Sequence, residues 1–471
     1  MTLNLGIRWE YHSPWVEVAD RQANYGLFSG ELMLAGQNGN SRALYQPFKK
    51  DFQPRVGFAY TPAMLKKKVV LRGAFTISSY LEGTGTNLRL PLNPPFNSEF
   101  QALYNTPDIW LPPVRLSDGF SDLNPKDPFK GATIRLWDPL VRPANSMQWS
   151  FATEYQMPMR SVLTLWYVGQ HGTHLMVPEP YLQKILVNGK AVPGPYLAGN
   201  PALLAEITQV SGTASEGNQK YNALQAHWRK RFGLDLEYQV AYTYSHGMTD
   251  AQGYYGTSAQ AAGTGAYTQN MYDRKDEWGP SFFDNKHNLS GSLFYQLPFG
   301  RKRLIGKSWP GWLDRIVGGW QIGAIYSVHT GFPLTAKVSG DPSGTGSRSV
   351  RPNVNGTPND PHQIGPGTFW LDNGTTPGGA KLYSVPTAFS FGSAGVGTVR
   401  GPGMRRLDAS LNKQIRLTEK KYFQLRLSAF NVTNTPIFSS PSSMVITNAF
   451  FGQIRSSSGE RNMNIVAKFY F

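Results

Sequence analysis

Cysteine is missing from all 471 residues. That excludes disulfides, thiolate metal centres and cysteine nucleophiles together. It fits a protein that passes through an oxidising periplasm. Long hydrophobic runs are missing too. No stretch of about 18 or more apolar residues occurs, which excludes transmembrane helices, and mean hydropathy is -0.36. Acidic residues are few, 30 against 46 Lys and Arg, leaving a net charge of +16. The catalytic signatures H-E-x-x-H, G-x-S-x-G and G-x-x-x-x-G-K-[ST] are absent. No catalytic residue, metal ligand or cofactor is therefore assigned, the chain is expected not to be an enzyme, and its ligand-binding residues stay unknown.

What is present is alternation. At the C-terminal end, Met463, Ile465, Ala467, Phe469 and Phe471 alternate with Asn464, Val466, Lys468 and Tyr470. A period of two gives a strand one apolar face. About ten such residues cross the hydrocarbon core of a bilayer. A segment of this kind, closing on an aromatic residue, resembles the C-terminal signal that outer-membrane barrels present to their assembly machinery.

The same alternation recurs about twelve times. Stripes run through Leu3–Tyr11, Val56–Tyr60, Val69–Ile77, Met147–Tyr155, Val162–Val168 and Leu224–Trp228. Others run through Leu234–Tyr244, Leu289–Leu297, Trp320–Val328, Leu407–Leu417, Phe423–Ala429 and the terminal segment. In the fifth, Val162, Thr164, Trp166 and Val168 are taken as the apolar stripe, although Leu163 and Leu165 blur it.

Connections alternate in length. Thr61–Lys67, Met157–Arg160, Arg231–Leu234, Pro298–Ile316 and Leu417–Lys421 are short. His12–Pro54, Leu81–Ser146, His171–Gln219, Gly247–Lys286, Gly331–Arg405 and Ser439–Arg461 are long. Short turns on one side and long loops on the other are the habit of outer-membrane barrels. Without apolar helices, only a closed barrel satisfies its backbone in lipid. The expected fold is all-β, an antiparallel transmembrane β-barrel with short periplasmic turns and long extracellular loops. The aromatic content of 13% suits interfacial girdles. Basic clusters at Lys66–Lys68, Arg229–Arg231, Arg301–Arg303 and Lys420–Lys421 fall at strand ends, where lipid headgroups lie. Outer-membrane lipid and lipopolysaccharide are thus the expected surroundings. No basic helix or RNA-binding signature accompanies the charge, so nucleic acid is not an expected partner.

Local phrases point further. Tyr167-Val-Gly-Gln-His-Gly-Thr-His-Leu175, Tyr221-Asn-Ala-Leu-Gln225, Tyr242-Thr-Tyr-Ser-His246 and Gly318-Gly-Trp-Gln-Ile322 resemble TonB-dependent outer-membrane receptors of the Oar-like type. So do Thr330-Gly-Phe-Pro333, Arg400-Gly-Pro-Gly403 and Phe430-Asn-Val-Thr-Asn-Thr-Pro-Ile-Phe438. That family's barrel has about 22 strands around an N-terminal plug, as the resemblance implies. The implied reading is residues 1–471 as the C-terminal portion of such a barrel, with plug, signal peptide and any N-terminal carboxypeptidase-regulatory-like domain absent. The implied role is lumen wall and ligand-facing outer loops of a transporter in the bacterial outer membrane. Contact with the TonB complex would run only through the missing N-terminal region. A passive pore or adhesion barrel is the alternative, and a soluble β-rich binding protein a third.

Three clusters remain. His171 and His174 flank Gly-Thr in an expected turn, a better fit to structure than to metal. Asp273, Asp276 and Glu277 form an acidic knot, expected as a solvated outer loop rather than a calcium site. Gly340–Gly346 is glycine-rich but lacks a phosphate-binding lysine, and is expected as a flexible loop tip. Trp110, Tyr254, Tyr255 and Trp370 are aromatic residues of long loops that could stack on sugars or grip peptides.

Overall fold

The structure, a computed structural model, describes residues 1–81, 89–97, 129, 132–197, 207, 209–232, 235–253, 267–301, 303–357, 369–374, 381–418 and 421–471. Among the described residues, twelve long strands follow one another in space as they do in sequence. They are β1 (Thr2–Glu10), β2 (Asp51–Tyr60), β3 (Val69–Tyr80), β4 (Ala144–Met157), β5 (Ser161–Glu179) and β6 (Gln209–Phe232). β7 (Leu236–Thr249), β8 (His287–Gln296), β9 (Trp320–His329), β10 (Met404–Arg416), β11 (Tyr422–Phe430) and β12 (Asn462–Tyr470) complete them. Every adjacent pair is antiparallel. Among the described residues β1 and β12 do not pair, so the sheet has two open edges. The helix α1 (Gly311–Val317) lies in the β8–β9 connection.

Register carries the apolar face across the whole sheet. Leu5 lies opposite Val56, Val56 opposite Phe75, and Phe75 opposite Trp149. Further along, Ile322 opposes Leu411, Leu411 opposes Leu427, and Leu427 opposes Ile465. A slip of one residue anywhere would turn a whole strand's apolar set to the polar side, so the pattern fixes the register. Many of these side chains stand exposed, including Leu5, Ile7, Phe151, Leu165, Leu224 and Ile465. An exposed continuous apolar face suits contact with hydrocarbon.

Two outward glycines lie under aromatic rings. A Cβ on Gly169 would come within 2.2 Å of the Trp149 indole, and one on Gly73 within 2.3 Å of the Phe58 ring. Each ring belongs to the directly opposite residue. The ring covers the backbone that glycine leaves bare.

One phase differs from the sequence expectation. Trp166 opposes Ala152 and Gln225, and Val168 opposes Ser150, which puts Val162, Thr164, Trp166 and Val168 on the polar face. Leu163, Leu165 and Tyr167 occupy the apolar face instead. Two overlapping apolar rows left the phase open locally, and the neighbouring strands decide it.

Tight turns close one end. Met159 and Arg160 both have positive φ (58° and 55°), as do Lys66 and Lys67 (52° and 58°). Left-handed pairs of this kind match the twist of a hairpin. At this end Trp228 and Tyr238 pack edge to face at 4.9 Å, and Tyr422 and Tyr470 stack at 4.3 Å. Lys66, Lys67 and Lys68 and Arg229 and Lys230 sit there too, at turn or strand end as expected. Lys302, Lys420 and Leu234 lie outside the described residues.

At the other end β5 and β6 project past the flanking strands β4 and β7. With about 3.4 Å per residue, 19 residues in β5 and 24 in β6 exceed what a bilayer needs. Both ends of the expected loop from His171 to Gln219, residues 171–179 and 209–219, are therefore strand. A short strand, Thr133–Trp137, adds in parallel to the projecting part of β6.

Candidate functional site: the polar face and the long-loop layer

The polar face is built by the residues that alternate with the lipid row. It carries Arg72 and Thr76 on β3, Gln148, Ser150 and Glu154 on β4, and Gln225, His227 and Arg229 on β6. Glu237 and Gln239 on β7, Ser292 on β8, Asp408, Ser410 and Asn412 on β10, and Arg426 and Ser428 on β11 continue it. Arg406 Nε donates to both carboxylate oxygens of Asp408, at 2.8 and 3.1 Å, and the Asn431 backbone N–H donates to Oδ1 at 2.8 Å. Such anchoring fixes a charged pair on this face.

Apolar islands interrupt this face. Trp166 stacks on the His227 ring at 6.4 Å. Phe294 and Ile325 are exposed in a hollow of about 450 Å³ shared with Glu237, Gln239, Asp408 and Arg426. A few polar groups around apolar ground are what small-molecule sites present.

The long connections pack into a layer over one end of the sheet, and the buried cores sit there. Tyr25, Ile134, Leu136, Tyr181 and Val210 form one core. Leu44, Tyr45, Leu90, Trp137 and Met176 form another, and Leu334, Leu371, Tyr383, Val399 and Phe451 a third. Buried amides tie the loops. Asn24 Nδ2 donates to the Trp137 carbonyl at 2.7 Å, and its Oδ1 accepts the Trp137 N–H at 3.1 Å. Gln183 Nε2 donates to the Gln269 carbonyl at 2.8 Å, and Gln183 Oε1 accepts the Met271 N–H at 2.8 Å. Unpaired, each such group would cost on the order of 1–3 kcal/mol, so the set fixes one arrangement.

The acidic knot is solvated only in part: Asp273 and Asp276 are exposed, while Glu277 is buried and ion-paired. Arg351 fills it. Its Nη1 donates to Glu277 Oε1 at 2.8 Å, and its Nη2 pairs with Asp276. Gln269 reinforces the knot, with its N–H on Glu277 Oε1 at 2.7 Å and its side-chain nitrogen on Asp276 Oδ2 at 3.0 Å. Asp273 stands just before the short 3-10 turn Arg274–Glu277. Gly340–Gly346 is likewise packed rather than loose. Ser343 and Thr345 are fully buried, Asp341 Oδ2 accepts the Gly346 N–H at 2.6 Å, and the Lys184 N–H reaches the Thr345 carbonyl at 2.7 Å.

His171 and His174 lie within β5 and not in a turn. His171 opposes Lys220, and His174 adopts φ 57° where the β5–β6 register shifts between Gly217 and Gln219. Beside them a hollow of about 640 Å³ is lined by His171, Asn218, Lys220, Asp250, Lys275 and Trp278. The Lys220 ammonium lies 6.0 Å from the centre of the Trp278 ring. Trp370 donates its indole N–H to the Arg400 carbonyl at 2.7 Å, a loop-core role. Trp110, Tyr254 and Tyr255 lie outside the described residues. Met463, Ile465 and Phe469 occupy the outward row of β12, exposed together with Phe471, and Ala467 shares the row.

Sheet and sequence together define a β-barrel protein of the outer membrane. The family described as "Outer membrane beta barrel domain" matches residues 1–464, and the chain belongs to it. Its place is accordingly the bacterial outer membrane. The end with tight turns then faces the periplasm and the long-loop layer the exterior. No curated protein matches the sequence. Among solved structures, the chain is similar to the outer membrane transporter YddB from Escherichia coli, at TM-score 0.42 and 8% identity. That match covers 89% of this chain and 41% of the other. It is similar to the FrpB iron transporter from Neisseria meningitidis at TM-score 0.41 and 10% identity, over 92% of this chain and 41% of the other. A third is the ferric-catecholate import receptor Fiu from E. coli K12, at TM-score 0.39 and 11% identity, over 96% and 40%. The chain thus spans less than half the length of these proteins.

Proposed function

We propose that the chain forms part of the barrel of a TonB-dependent transporter, supplying lumen wall and ligand-facing outer loops. The observation that carries this reading is the pairing of a charged, hollowed inner face with an interlocked outer layer. A passive pore needs no locked layer over its mouth, whereas selective uptake needs a fixed receptor surface there. The phrases at Tyr167–Leu175 and Phe430–Phe438 agree with that family. Solute would meet the hollow beside Lys220 and Trp278 first, and the wall around Phe294, Ile325 and Asp408 later. The twelve strands would be the C-terminal part of a barrel of about 22, the plug lying outside residues 1–471. Coupling to TonB would pass through that plug. No catalytic role is assigned. Met463, Ile465, Ala467, Phe469 and Phe471 would be read by the barrel assembly machinery.

The intact mass of the native protein, extracted from the outer membrane of its host, tests this directly. A mass roughly double the 52.3 kDa of this chain is expected. A mass of 52.3 kDa, with steady ion conductance in planar bilayers and no energy input, would overturn the reading in favour of a passive pore.

A further inference from the structure

Glu10 ends β1, Asp51 opens β2 directly opposite it, and His12 follows two residues after Glu10. The three side chains each bring a ligand atom to within 4.8 Å of the others. Asp51 is only 2% exposed. Its Oδ1 has no hydrogen-bond partner, and neither has the buried Nε2 of His12. A buried carboxylate oxygen and a buried imidazole nitrogen, both unpartnered and on residues of one such cluster, form a costly arrangement unless something bonds to them.

The remaining atoms are held firmly. Gln53, 1% exposed, donates to Glu10 Oε2 at 2.6 Å and to Ser79 Oγ at 2.7 Å. It also reaches Asp51 Oδ2 at 3.5 Å, and Ser79 donates to that same oxygen. Arg8 pairs with Glu10 Oε1. Two carboxylates against one guanidinium leave a net negative charge for a cation. Carboxylates oriented by a second ring of hydrogen bonds are the usual surroundings of metal ligands.

We propose that Glu10, His12 and Asp51 bind a divalent first-row transition metal ion of the zinc type at the outer rim of the polar face. One imidazole nitrogen with two carboxylate oxygens favours zinc, iron or nickel over calcium, which takes oxygen ligands only. Asp51 Oδ1 and His12 Nε2 are the principal donors. Glu10 is the third, through lone pairs that its bonds to Gln53 and Arg8 leave over. The site does not depend on the transporter reading, because it requires only β1, β2, the start of the loop that joins them and Ser79 of β3.

The test uses the protein extracted from outer membranes, without a polyhistidine tag, and zinc alone as probe. Calorimetry should show about one zinc ion per chain, with affinity at least tenfold weaker in His12→Ala and in Asp51→Asn. Zinc-edge X-ray absorption on the unmutated protein should show one imidazole with oxygen ligands, a readout independent of how any variant folds. Absence of zinc binding, a first shell without imidazole, or unchanged affinity in folded His12→Ala would overturn the proposal.

Discussion

Arg351 donates to Glu277 at 2.8 Å although 74 residues separate them, and both side chains are almost fully buried. The pair clamps the loop after β7 to the loop after β9. Removing one partner of a buried ion pair typically costs about 3–5 kcal/mol, because the other charge stays buried alone. Arg351→Ala should therefore open the long-loop layer while the sheet persists. Limited proteolysis in detergent should show cutting within residues 267–286 and 333–357 with the strand core intact. Unchanged protease resistance would show that the clamp is dispensable.

Gly169 lies beneath the Trp149 indole, where an added Cβ would approach to 2.2 Å. Overpacking of that kind costs about 1–3 kcal/mol. Gly169→Ala should lower the urea midpoint followed by tryptophan fluorescence. Gly6→Ala, where nothing lies within 4 Å, should leave it unchanged.

Ile465 stands in the outward row of β12, opposite Leu427. A charge at mid-bilayer costs about 2–4 kcal/mol. Ile465→Arg should reduce the fraction assembled in the outer membrane, read by heat-modified gel mobility, whereas Asn464→Arg on the polar face should assemble nearly as well. Equal loss in both would contradict the assignment of faces.

Lys337 sits in the outer loop layer, where burial pushes its ammonium down from 10.5 to about 8. The folded state then binds fewer protons than the unfolded state between pH 8 and 10.5, so stability rises with pH across that window. Below pH 8 the full cost of charging a buried amine remains. Lys337→Met should raise the thermal midpoint at pH 7 and abolish the rise above pH 8. A midpoint falling from pH 8 to 10 in the unmutated protein would contradict this.

The twelve strands were legible in the sequence because a lipid row and a polar row alternate along most of them, as from Phe423 to Ala429. Trp166 was misplaced because Leu163 and Leu165 offer an equally apolar row, and only pairing with Gln225 decides between them. The outer layer was not legible. Its cohesion comes from contacts such as Arg351 with Asp276 and Gln183 with Gln269, which join residues far apart in sequence and leave no local period. The group of Glu10, His12 and Asp51 was hidden for the same reason. A loop of about forty residues separates its parts, and only the strand pairing brings them together.

The missing cysteine makes the most direct test simple, since each introduced thiol is the only one present. Leu427→Cys and Ile465→Cys place a thiol on the apolar face, Ser428→Cys and Asn464→Cys on the polar face. Labelled in intact outer membranes with a membrane-impermeant, water-soluble maleimide after porin-permeable access is provided, the polar-face pair should react and the apolar-face pair should stay unlabelled. Equal labelling of all four, or labelling of Leu427→Cys and Ile465→Cys alone, would contradict a lipid-facing row backed by a hydrated lumen.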